Sequence, residues 1–191
     1  MTKLNQSLIL EKSTELFAHG GLGEFRIRLL AEKLGISPSV IYHYFTDEHA
    51  LLKGMFEYAN TQLGKSRAAL PRSRTSSEML RQRIVFQIDN AEKIVAVLKY
   101  YFAFRSTFQK HERGFMPDKS ARHMEEVLQF AKKRGEYSGR NVHDDALVMT
   151  HAINGFLLEY YPYKAEGKEK TELTNRIFRF LTHIFHGGTD V

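Results

Sequence analysis

The stretch Leu30–Phe45, LAEKLGISPSVIYHYF, decides the fold. It reads as two very short helices divided by a glycine, in a chain whose other apolar residues recur every three or four positions. Leu30, Ala31 and Leu34 put a small residue inside an apolar face, so a second helix can cross the first closely and at a steep angle. Gly35 is able to take the left-handed conformation that ends a helix. Ile36 is placed to plug the corner, Ser37 to cap the next helix, and Pro38 to occupy its first turn, where no backbone donor is needed. Small residue, glycine, apolar plug, cap and proline in this order are the grammar of a helix-turn-helix.

In a helix that starts at Pro38, Val40, Ile41 and Phe45 face inward while Ser39, Tyr42 and His43 stay outside. A short exposed helix that begins with hydroxyls and planar rings fits a DNA major groove, where such groups reach phosphates, base edges and thymine methyls. The plainer alternative is a helical corner whose Tyr42 and His43 only finish a surface. Ser37, Ser39, Tyr42 and His43 are the candidate groove or phosphate contacts, with Arg26, Arg28 and Lys3 as candidate clamps on the backbone.

Outward from this motif, spacing of three and four dominates, and there is no useful run of Val/Ile/Thr alternation and no internal repeat. The class is therefore all-α. Breakers at Gly20-Gly21-Leu22-Gly23, Gly35, Pro71, Gly114 to Pro117, Gly135 to Gly139 and Gly167 predict eight or nine helices. They fall at roughly 3–19, 25–34, 38–45, 47–66, 76–90, 91–110, 117–134, 142–161 and 168–187. The basic SRAALPRSR around Pro71 marks the domain junction. The expected organisation is a helix-turn-helix domain over 1–47, a connecting helix and linker over 48–75, and a larger helical domain over 76–191.

The 191 residues are 42% hydrophobic, enough to fill a core, and include no cysteine, which removes disulfides, thiolate nucleophiles and cysteine metal sites. The opening MTKLNQSLILEKSTELF is interrupted by Lys12 and Glu15 and reads as neither a signal peptide nor a membrane span, so a cytoplasmic protein with no membrane partner is expected. The formal charge is +6, yet residues 1–75 hold 10 Lys/Arg against 7 Asp/Glu and residues 76–191 hold 18 against 15. Charge alone thus favours an anionic partner without locating it.

Residues Ile9 to Leu52 resemble the DNA-binding domain of the TetR family of bacterial transcriptional regulators. ILEKSTELFAHGGLGEF is similar to its first helix and glycine turn, RIRLLAEKLGISPSVIYHYF to its helix-turn-helix, and TDEHALL to the start of its fourth helix. The resemblance implies an N-terminal three-helix DNA reader, followed by a larger helical domain that dimerises and binds a small effector. It also implies a repressor that small ligands release from its operator. Two departures stand out. Phe25-Arg26 replaces the usual Thr or Ser at the start of the second helix, and Glu48 lies where the family favours a nearby Lys. Glu48 suits the positive end of a helix but repels phosphate.

In the larger domain the residues must speak for themselves. AEKIVAVLKYYFAFRSTF puts Ile94, Leu98, Tyr101, Arg105 and Phe108 on one face with Phe102 beside them, a stripe that suits either a packed core or a ligand pocket. Arg105 on that stripe needs an internal partner, with Glu126 or Glu159 as examples, or holds the acidic end of a largely apolar effector packed on Tyr101, Phe102 and Phe108. A one-residue change of face moves it outward. On the last two helices Met149, Ile153, Phe156 and Tyr160, with Ile177, Phe180, Leu181 and Ile184, offer more apolar face than one side of a bundle needs. Pairing about a two-fold axis as a homodimer is expected.

No catalytic signature is present: there is no GxSxG, phosphate loop or dinucleotide fingerprint, so no enzyme activity and no cofactor are expected. The histidines, among them His143 before Asp144-Asp145 and the pair His183 and His186, make no recognisable metal motif. The sequence therefore points to a ligand-responsive repressor on double-stranded DNA. A helical binding or interaction protein with a weakened reader is the second reading.

Overall fold

The computed structural model describes residues 4–71, 73–106, 117–139, 141–161 and 167–185. Among them the chain is all helix, without a strand: α1 (Gln6–Glu24), α2 (Ile27–Leu34), α3 (Pro38–Tyr44), α4 (Glu48–Ala68), α5 (Ser76–Asp89), α6 (Ala91–Phe104), α7 (Pro117–Lys133), α8 (Val142–Tyr160) and α9 (Gly167–Phe185). Two compact units form, one from Met1–Ala69 with Glu92–Thr107, the other from Leu70–Ala91 with Phe108–Val191. The first break thus falls beside Pro71. Nearly all of α6, assigned by sequence to the larger domain, instead belongs to the unit of the helix-turn-helix.

In the first unit α1 packs against α2 and α4, and α2 against α3. Asn5 starts α1 by accepting the Leu8 amide at 2.9 Å, and Asp47 starts α4 by accepting the Ala50 amide at 2.7 Å, each satisfying a donor the helix itself leaves open. Ser13 and Thr14 lie buried in α1 because their hydroxyls bond back to the Ile9 and Leu10 carbonyls. The glycine run bends α1 rather than ending it: Gly21 sits at φ 61°, ψ −159°, and the helix resumes to Glu24. Ile9, Phe17, Phe25, Leu30, Ile41, Leu51, Leu52 and Met55 are the largest side chains fully enclosed in this core, with Phe17 edge-on to Phe25 at 5.9 Å.

The second unit packs α5 against α7, α8 and α9, and α7 against α8. Thr75 and Glu78 close α5 with a reciprocal capping box, and Asn141 caps α8 by accepting from the His143 and Asp144 amides. Polar ties join its parts: Ser76 donates to the Glu136 carboxylate, Tyr137 to that of Asp145, and Lys170 pairs with Asp89. Glu136 also accepts from Arg134 Nε at 2.6 Å, and these bonds hold its carboxyl below the usual value.

Backbone conformation alone separates two glycines. Gly35 has φ 66°, so Gly35→Ala is expected to lower stability by about 1–2 kcal/mol. At Gly64, inside α4, an added Cβ meets nothing within 4 Å, and Gly64→Ala is expected to raise stability by about 0.5–1 kcal/mol. Urea unfolding midpoints of the two variants, moving in opposite directions, check this.

Candidate nucleic-acid interface

Two helices of eight and seven residues are too short to hold themselves together in water, so their geometry comes from the turn and the core. Gly35 is left-handed, its amide bonds the Glu32 carbonyl at 3.0 Å, and the Ile36 amide reaches back to the Ala31 carbonyl at 3.0 Å. This paired closure uses up the last carbonyls of α2 and turns the chain sharply into α3. Pro38 then occupies the first turn of α3. Ile41 is wholly buried and Phe45 nearly so, which fixes the rotation of α3 about its axis.

That rotation leaves Ser39, Tyr42, His43 and Tyr44 outside, with Ser37 beside them just before the helix. Tyr42 is 52% and Tyr44 41% exposed, large values for aromatic side chains. Ser37 does not cap the helix through its side chain, as spacing had suggested. Its hydroxyl pairs instead with that of Ser39 at 2.7 Å, so two groups able to donate or accept stand together at the start of α3. Tyr44 is the member that sequence spacing missed: three residues after Ile41 it belongs on the inner flank of a longer helix, but the chain leaves α3 there and Phe45 takes the core position.

Arg26 stands at the start of α2 without capping it, and its guanidinium donates to the Phe25 carbonyl at 2.6 Å. Arg28 is exposed in the first turn of α2, whereas Lys3 lies outside the described residues. The surface thus combines hydroxyls, phenol rings, an imidazole and two arginines around one protruding helix. Such groups position on phosphates and read base edges, and none forms a catalytic array.

The other candidates fall elsewhere. On α6 the enclosed side chains are Val95, Ala96, Val97, Leu98 and Tyr100, a face turned by about one residue from the predicted stripe. Tyr100 stacks on Phe56 with centroids 4.6 Å apart, lies 4.6 Å from Phe104, and is held above the usual tyrosine value by burial. Tyr101 is in consequence only half-buried, Phe102 is 56% exposed, and Arg105 lies exposed in the turn after the helix. The desolvation argument for an Arg105 clamp or ion pair therefore has no basis in its position. Phe108 lies outside the described residues.

Of the pairing candidates, Met149, Ile153, Ile177 and Leu181 are buried within the second unit itself. Phe156 is half-buried and meets Phe180 edge-on at 6.4 Å, and Phe180 stays 47% exposed. Val148, which the predicted stripe omitted, is 57% exposed. The side chains of Tyr160 and Ile184 lie outside the description.

The nine helices among the described residues include a helix-turn-helix in the first unit, a class of motif that docks on DNA. Residues 9–55 match the family model for bacterial regulatory proteins of the tetR family. The HTH-type transcriptional regulator BetI of Pectobacterium carotovorum is 26% identical over 107 residues, covering 54% of this chain and 55% of its own. The chain thus spans about half the length of the curated relatives it matches. Two solved structures share the fold over nearly the whole chain. The transcriptional regulator FadR from Bacillus subtilis, in complex with stearoyl-CoA, is 16% identical with a TM-score of 0.68, covering 95% of this chain and 100% of its own. A transcriptional regulator from Saccharomonospora viridis, in complex with choline, is 18% identical with a TM-score of 0.69, covering 93% and 95%.

Tyr42 is outside the core, so Tyr42→Ala is expected to change stability by no more than about 0.5 kcal/mol. The same substitution is expected to weaken binding to the chain's own operator by about 1–3 kcal/mol. Thermal unfolding and a mobility-shift titration, run side by side, measure the two effects.

Proposed function

We propose that the protein is a ligand-responsive transcriptional regulator, a repressor that binds a roughly palindromic operator as a homodimer and is released by a small, largely apolar effector. The observation that carries this reading is α3: a seven-residue helix, seated by Ile41, that directs Ser39, Tyr42 and His43 away from the core. A helix with no stability of its own, held out with its polar side bare, suits insertion into a major groove. The match of residues 9–55 to the tetR family model supports the same reading. Release by a small molecule draws support from the stearoyl-CoA and choline held by proteins of the same fold.

Pairing is proposed through the outer faces of α8 and α9. Val148 and Phe180 leave apolar surface open there, and Phe156 joins them through its contact with Phe180. Two-fold pairing of these helices buries that surface as a four-helix bundle. It sets two readers about 34–36 Å apart, one turn of DNA, which is why the operator is expected to be roughly palindromic. An effector releases DNA by binding more tightly to a dimer whose readers are wrongly spaced.

The direct test of function is a mobility-shift titration with the DNA flanking the protein's own gene: a shifted complex that outlasts excess unrelated DNA is expected, and its absence contradicts the reading. For assembly, Val148→Glu combined with Phe180→Glu is expected to convert a dimer into a folded monomer at micromolar concentration. Sedimentation checks the mass, and a wild-type monomer contradicts the pairing.

A further inference from the structure

A lysine outside the helix-turn-helix is bonded to the helix on which that motif is built. Lys99 on α6 donates to the Ala18 and His19 carbonyls of α1 at 2.7 Å each, and all three residues belong to the first unit. The regular partners of those carbonyls are the amides four residues on, at Leu22 and Gly23. Between them stands Gly21, whose φ of 61° and ψ of −159° suit glycine and break the helix. A Cβ added at Gly21 would stand 3.5 Å from Lys99 Cδ, so the lysine stem runs along the break while its ammonium spans the two carbonyls before it. Burial holds that ammonium below its usual value, and Glu24, just past the break, favours its charge.

The chain after the break leads straight into the reader. The Phe25 amide bonds the Gly21 carbonyl at 3.1 Å, the Phe25 ring is fully enclosed against Phe17, and Arg26 opens α2. α2 packs on α1 and α3 on α2. The burial of Ile41 sets which side of α3 faces out, whereas the path through Gly21 sets where the pair α2 and α3 sits on α1. A glycine allows many such paths, because without a side chain its backbone angles are nearly free. A charged donor bonded to both carbonyls narrows the choice, and bonds of this kind are about twice as strong as neutral ones.

We propose that Lys99 is a positioning residue for DNA binding: by clasping α1 at its break, it holds α2 and α3 in the arrangement that fits DNA, and it touches no DNA itself. This rests on the reading of α3 as a DNA reader. Without the clasp the fitting arrangement is one of several, and affinity falls by the fraction of molecules that hold it. Every DNA sequence loses the same factor, and the number of phosphates contacted stays as it was.

The test compares Lys99→Met, which keeps most of the stem and loses the ammonium, with Lys99→Arg and with Leu63→Ala, a core substitution in α4 that lowers stability alone. Binding is measured by fluorescence anisotropy on the DNA flanking the protein's own gene, well below each variant's melting temperature. Lys99→Met is expected to bind about tenfold more weakly, with unchanged preference over scrambled DNA and an unchanged salt slope. Lys99→Arg, whose guanidinium offers donors to both carbonyls, is expected within about threefold of wild type. Leu63→Ala is expected to melt lower and bind as wild type does. Hydrogen exchange at the Phe25 amide is expected to quicken about tenfold in Lys99→Met and to stay slow in Lys99→Arg. An equal loss of affinity in Leu63→Ala overturns the proposal, because the effect is then one of stability. A salt slope shallower by about one in Lys99→Met also overturns it, because the lysine then meets a phosphate itself. Where Lys99→Met does not fold, Lys99→Gln, with an amide donor on a shorter stem, is expected to weaken binding about threefold, and wild-type affinity there overturns the proposal. A wild-type chain that binds no flanking DNA overturns the regulatory reading, whereas Lys99→Met that matches a DNA-binding wild type overturns the clasp alone.

Discussion

The outward face of α3 depends on the burial of one side chain, Ile41, behind a left-handed glycine. A seven-residue helix makes too few internal hydrogen bonds to offset the entropy of its own ordering, so α3 exists because Ile41 and Phe45 are drawn into the core. Gly35 sets the angle at which it arrives, and the Ile36 amide locks that angle to the end of α2. The outward direction of Tyr42 and His43 follows from those two facts and needs no further contact. The orientation of the surface is thus set in the core.

The rest of the first unit holds that seat in place, and α6 is part of the support. The kink at Gly21 interrupts α1, and Lys99 on α6 donates to the Ala18 and His19 carbonyls at 2.7 Å each, supplying bonds at the break. Burial holds the Lys99 ammonium below its usual value, with Glu24 acting in the opposite sense. One residue later, Tyr100 fills the space between Phe56 and Phe17. A segment that lies far along the chain therefore ties itself to the helix on which the reader is built. In the second unit, Ser76 with Glu136, Tyr137 with Asp145 and Lys170 with Asp89 tie the helices and their connections together.

The sequence made helix ends and turns legible, because caps are local chemistry. Gly35 lies at the end it fixes, so the helix-turn-helix can be read residue by residue, whereas the equally local caps at Asp47, Thr75 with Glu78, and Asn141 are not singled out by apolar spacing. Helix rotation was harder. On α6 nearly every residue from Ile94 to Phe104 is apolar or aromatic, so several faces fit the spacing equally well, and the choice of Tyr100 over Tyr101 was made by Phe56 and Phe104. The same ambiguity placed Arg105 on a buried stripe when the helix ends one residue before it. On α8 and α9 the strongest apolar stripe marks the core of the second unit itself, since Met149, Ile153, Ile177 and Leu181 are buried there, while Val148 and Phe180 remain exposed. Ser37 reads as a cap in sequence, but the Ser39 hydroxyl two residues on, an equally local partner, takes its hydroxyl instead.

The central claim is that α3 and its flanking arginines meet DNA through phosphates as well as bases, and the salt dependence of binding tests it most directly. Fluorescence anisotropy with labelled DNA from beside the protein's own gene gives log K against log salt, which falls with a slope set by the number of phosphates neutralised. The account predicts a steep negative slope that becomes shallower by about one when Arg28 is replaced by glutamine, with preference over scrambled DNA retained. A flat slope, or equal affinity for scrambled DNA at every salt concentration, contradicts it.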